Sequence, residues 1–270
     1  MLAAAWVVLG AMALPLAGGQ VFHRDDLGLF HLPVRQHYAR CLAAGDDYRW
    51  CPALYGGLDL HGEGQVGMEH PLHRLLYGTL PLATAFHLEW WLSYPVSFVG
   101  MALLLSRWRL RRDASLLGAL VFTGSGFPVH HYVHMNAVAI IAQVPWLLLG
   151  MDVALRSADP RRAAWGRRGV AVLTMSQCLL GYPQYVVFSL LVELAYAAGL
   201  RVGRLDQGGG RWRALAGAKG LGLLGGAIQV LPTWEALARS TRPAPAAAWL
   251  GKGSLHPVHL VQWVSPYVFR

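Results

Sequence analysis

Three groups of side chains in this chain have the types and spacing for chemistry. The first is the pair Asp25 and Asp26 in HRDDLGLFHLPVRQHY, residues 23–38, which follows the apolar run AAAWVVLGAMALPLAGG after three intervening residues. Two adjacent carboxylates there are either a solvated helix end or a reactive pair able to take a proton or hold a cation. The second is GGLDLHGEGQVG, with Asp59, His61, Glu63 and Gln65 at alternate positions. In an extended segment these four side chains project to one face, a wall for a sugar or a metal; the other reading is a flexible surface loop. The third is HHYVHMN, where His130 and His134 are four apart and share a face if helical. That spacing suits two metal ligands, or, with His131, contacts to a phosphate or sugar; histidines at a membrane interface also act as plain amphipathic anchors. Cys41 and Cys51 lie in the same early region and are candidates for a small disulfide in an oxidising compartment, or else two unpaired thiols.

The elements that must position these groups are apolar. Hydrophobic residues make up 55% of the chain and charged residues 14%, against about a quarter charged in ordinary soluble domains. This composition predicts an all-α integral membrane protein, a single polytopic bundle over residues 1–270. About seven crossings are expected, near 3–22, 84–106, 114–129, 137–155, 169–182, 184–200 and 214–233, since each needs roughly 20 apolar residues. The third and fifth are short, which predicts tilted or partly re-entrant paths. A long first outer loop, 23–83, with room for an interfacial helix, and an outer C-terminal segment, 234–270, complete the expected layout.

Of the 23 Lys and Arg residues, 14 fall in three short connections, 107–112, 156–168 and 201–219. Cations concentrate in cytoplasmic loops, so the N-terminus is expected inside. All 12 histidines then lie on the outer side or at its edge. The net charge of +9 reads as this bias, facing anionic lipid, and not as a nucleic-acid footprint. The first span is either retained or a cleaved signal segment; both deliver residue 23 to the outer side. Glu193 and Gln229, inside spans, should face the bundle interior, Glu193 paired with a neighbouring helix or serving a proton path. Ala218, Gly222 and Gly226 form a small-residue stripe for close helix packing. The sequence contains no GxxxxGK[ST] and no GxSxG, so it gives no support to nucleotide hydrolysis or serine-hydrolase chemistry.

The ordered series FHLPVR, LYGGLDLHGEGQVGMEHPLHRLLYGTLP, RWRLRRDASLLGALVFTGSGF, HMN, PWLLLGMD, GYPQY and AIQVLPTWEALARSTR resembles bacterial YfhO-like membrane proteins of the C-type glycosyltransferase (GT-C) superfamily. That resemblance implies transfer of a sugar from a polyprenyl-phosphate carrier to an acceptor at the outer face of the bacterial inner membrane. It assigns Asp25 or Asp26, without choosing between them, as general base or as ligand of a divalent cation. Arg35, Asp59, His61, Glu63, Gln65, His130, His131 and His134 become candidate substrate contacts. Proteins of that type continue with further spans after a stretch like SLHPVHLVQWVSPYVF, so the chain reads as a fragment, the product of a split gene or a shortened relative. The rival expectation is a non-enzymatic component, either a transporter part or a subunit that packs beside other membrane proteins and offers a histidine to a pigment or metal.

Overall fold

The computed structural model describes residues 2–240, 256–265 and 267–268. The chain is about 73% helical, with no closed sheet among the described residues. Helix α1 spans Leu2–Ala17, and a π-helical turn over Leu27–His31 leads into α2, Leu32–Ala44. A two-residue hairpin pairs β1, Trp50–Cys51, with β2, Leu58–Asp59. Helices α3 (Pro71–Thr79), α4 (Leu82–Arg107), α5 (Arg112–Thr123), α6 (Gly126–His130) and α7 (Met135–Arg156) follow. The last are α8 (Pro160–Leu180), α9 (Pro183–Val202), α10 (Gly209–Gly225) and α11 (Ala227–Ala238), with a 3₁₀ turn over Pro257–Trp263. Of the expected outer C-terminal segment, residues 241–255, 266, 269 and 270 lie outside the described residues.

Among the described residues three helices, α4, α7 and α9, are long and apolar enough to cross a membrane, and a fourth crossing results if α10 and α11, bent by 66°, act as one. The expectation of about seven is therefore met at a coarser level, as a helical bundle with three or four such helices. The shortfall has a local cause. Helix α1 has 16 residues, α5 has 12, and α8 opens with Arg161, Arg162, Arg167 and Arg168.

Helix α7 occupies the centre, packed against α4, α8, α9 and α10, with Ile140, Leu147 and Leu155 fully buried. The small-residue stripe brings α10 onto α8: a side chain at Gly222 would sit 2.5 Å from the Ala171 carbonyl oxygen. The arginine-bearing helix ends gather at one end of the bundle, joined through buried Asp152. Its carboxylate accepts from Arg107 Nε (2.7 Å), Arg156 Nη1 (2.8 Å) and the Tyr196 hydroxyl (2.9 Å).

At the histidine end the 23–83 region is packed, with its own core: Leu27, Val34, Tyr38, Leu60 and Val66 are fully buried, against Phe86 of α4. Helix α3 is started by Pro71 and capped by His70, whose Nδ1 accepts from Leu72 N. It buries His73, Leu76 and Tyr77 and leaves Leu72 and Leu75 exposed.

Candidate functional site

In the first turn of α2, four residues after His31 ends the π-helical turn, the chain commits a cation to the interior. Arg35, fully buried, donates from Nε and Nη2 to both oxygens of Glu89 in α4, at 2.8 and 2.5 Å. Its Nη1 donates to the Val66 carbonyl at 2.5 Å. The Tyr77 hydroxyl donates to Glu89 Oε2 at 2.5 Å, and His73 Nε2 lies 3.3 Å from Oε1. Burial alone would lower the Arg35 pKa, but the Glu89 carboxylate more than offsets it, so the guanidinium is held charged. Burial first, then the Glu89 charge, pushes the Tyr77 hydroxyl well above its usual range. His73 is lowered to about 4 by burial, against the pull of Glu89. His31 falls to about 3 through burial and the Arg35 charge. Arg35, an expected substrate contact, is thus saturated by protein partners and does not reach the surface.

This pair fixes the glycine-rich segment. Asn136, at the start of α7, donates from Nδ2 to the carbonyls of Gln65 (2.7 Å) and Leu180 (2.5 Å), stitching the loop to the end of α8. Gly67, at φ +60°, packs so closely that a side chain would meet the Leu180 oxygen at 2.6 Å. The Gly64 carbonyl accepts from Tyr182 N, and Tyr182 itself is held left-handed at φ 59° before Pro183 begins α9.

The four alternating residues separate, because the segment forms consecutive turns beyond β2 and not an extended strand. Asp59 accepts from the backbone N–H groups of His61 and Gly62, both at 3.0 Å, and so shapes a turn. His61 Nε2 contacts the Ile228 carbonyl at 2.9 Å, and the Gln229 amide donates to the His61 carbonyl at 3.0 Å, which ties the loop to α11. Only Glu63 and Gln65 line a cleft of about 360 Å³, facing Tyr182, Gln184 and Thr233. Neither the single wall nor the loose loop expected from the spacing forms.

The structure separates the two aspartates. Asp25 is exposed and left-handed at φ 56°, its carbonyl accepting from Gly28 N and Leu29 N. Asp26 is half-buried, its side chain 47% exposed, and its Oδ2 lies 3.2 Å from His134 Nε2. The His134 ring stands edge-on to Tyr182 with centroids 6.4 Å apart and lies 5.6 Å from His131, which stacks on Phe127. The Nδ1 atoms of His131 and His134 are buried without a protein hydrogen-bond partner among the described residues. An N–H at His134 Nε2 directed to Asp26 leaves Nδ1 as the acceptor. His130 is exposed, away from the pair. Cys41 and Cys51 are buried and free; the expected bridge is not formed in this structure, and Cys41 Sγ instead lies 3.6 Å from His37 Nε2.

Glu89 and Tyr77 were not among the expected site residues. Their signal was an acid inside the apolar run AFHLEWW, which demands a buried partner. Among the described residues, no group of three or more His, Cys, Asp or Glu side chains could hold a metal ion. The divalent cation expected for such an enzyme thus finds no ready donor set in them. No protein-family model, curated protein or solved structure matches this chain.

Proposed function

We propose that this chain is a multi-pass protein of a bacterial inner membrane that transfers a sugar from a polyprenyl-phosphate donor to an acceptor at the outer face. In this reading the arginine end is cytoplasmic, the N-terminus included, and the histidine end is outside. Helices α1, α5 with α6, and α8 bring the count to about seven crossings, tilted or capped by polar ends.

The observation that carries the reading is the Asp26–His134 pair beside Tyr182, where the first outer segment meets the ends of the apolar helices. A lipid phosphate keeps its tail among those helices and its head at this level. Asp26 takes the proton from the acceptor hydroxyl. The acceptor oxygen forms a bond to the sugar's anomeric carbon, the bond from that carbon to phosphate oxygen breaks, and polyprenyl phosphate leaves with the electron pair. His134 orients the Asp26 carboxylate and shares the proton it receives. Glu63 and Gln65, in the adjoining cleft, supply hydrogen bonds to sugar hydroxyls.

The test uses labelled polyprenyl-phosphate sugars and cell-envelope acceptors. Asp26→Asn should lower transfer by roughly 100-fold to 10,000-fold, the worth of a missing general base. Asp25→Asn should leave transfer within about 2-fold of wild type, since an exposed surface change costs little. A wild type inert toward every such donor, or Asp26→Asn equal to it, refutes the reading and leaves the membrane-subunit alternative.

A further inference from the structure

A second cavity, of about 350 Å³, opens between α9 and α10, far along both helices from the cleft at the histidine end. Glu193 lies ten residues from the start of α9 at Pro183, about 15 Å along the axis, which puts it near the middle of a crossing. Lys219 Nζ donates to both Glu193 oxygens, at 2.7 and 2.6 Å. Ser189 Oγ adds a third bond to Oε1 at 3.2 Å and accepts in turn from the Gln177 amide at 3.0 Å. The carboxylate is buried, while the Lys219 side chain keeps 19% exposure toward the cavity. Around this pair the walls are apolar, with Met151, Val170, Leu190, Leu194 and Leu223, and Trp212 supplies an indole. Leu190, Leu194 and Leu223 are 38%, 56% and 48% exposed, so no helix among the described residues covers the mouth.

We propose that this groove binds a neutral, membrane-dissolved lipophile bearing a carbonyl acceptor, of the quinone class. Three properties select that chemistry. The ammonium has three N–H donors, and two are spent on Glu193, so one remains for an acceptor. The pair is neutral overall and no other charged side chain among the described residues lines the cavity, so an anion or cation would enter uncompensated in a medium where that is costly. The volume lies within the range of ligand pockets, roughly 300–1,000 Å³, and the indole offers a flat face to a ring. The site stands independently of the sugar-transfer reading.

The experiment places the full chain in quinone-free nanodiscs and titrates decylubiquinone while tryptophan fluorescence is followed. Wild type should show a saturable quenching component that disappears in Trp212→Phe, above the linear collisional quenching common to both. The double variant Glu193→Gln, Lys219→Met keeps the shape and removes the donor without stranding a charge. It should weaken the saturable component by roughly 10-fold or more, the worth of a hydrogen bond to a charged donor. Lys219→Arg should restore it, and the carbonyl stretch of bound quinone should shift to lower frequency only where a cation is present. Linear quenching alone in wild type overturns the proposal, as does unchanged affinity in a folded double variant. Saturable competition by oleate in place of decylubiquinone would overturn the neutral class.

Discussion

Removing the charge of Glu89 while keeping its shape tests whether the Arg35 pair organises the histidine end. In Glu89→Gln the guanidinium stays fully buried with its Val66 contact, but loses the carboxylate that took two of its bonds and that of Tyr77. One amide hydrogen must also point at an existing donor. Breaking a buried pair from one side costs about 3–5 kcal/mol, a large share of a typical stability of about 5–15 kcal/mol. Equilibrium unfolding in mixed detergent micelles should register that loss. The double variant Arg35→Met, Glu89→Gln removes the stranded charge and should recover part of that loss, leaving a deficit of about 1–3 kcal/mol for the Val66 carbonyl left unpartnered. The cycle should give a coupling energy above about 2 kcal/mol. A loss in Glu89→Gln below about 1 kcal/mol, or additive single variants, would refute the argument that this pair holds the loop.

Stability should fall with acid. His31 and His70 are lowered to about 3 and His73 to about 4, in each case chiefly by burial. Because the unfolded histidines bind protons first, stability is intact above about pH 6.5 and declines toward pH 4. Each lagging histidine contributes about 1.4 kcal/mol per pH unit, and a flat unfolding profile between pH 7 and 4 would contradict the burial. Gly67→Ala should destabilise by at least the roughly 1–2 kcal/mol of a left-handed alanine, with a further share from the Leu180 oxygen; an unchanged melting curve would exclude that close approach. Single cysteines at exposed Leu110 and Gln207 should resist an impermeant thiol reagent in intact cells, while those at Gln36 and His130 react, over a low background from three buried native thiols. The opposite labelling pattern would invert the orientation.

The helical, apolar character of the chain and the clustering of 14 of its 23 cations in three short connections were legible in the residues alone. Hydropathy and charge are additive along a segment and need no knowledge of partners. The same holds for Glu193 and Gln229: an interior polar group requires a partner, and Lys219 and the His61 carbonyl supply them. Crossing number was less legible, because a window of apolar residues does not reveal that α5 stops after 12 residues or that α10 and α11 bend by 66°.

Partner choice belonged to the tertiary structure. Adjacent in sequence, Asp25 and Asp26 differ only because a left-handed residue at 25 turns one carboxylate outward and the other to His134. The alternation of Asp59, His61, Glu63 and Gln65 would share a face only in an extended backbone, and the glycines between them permit turns that send each elsewhere. Arg35 was a candidate substrate contact only through the family resemblance, since no local pattern showed its partner. Its carboxylate comes from Glu89, 54 residues later on another helix, and such a pairing is set by the packing of α2 on α4, which no local pattern encodes.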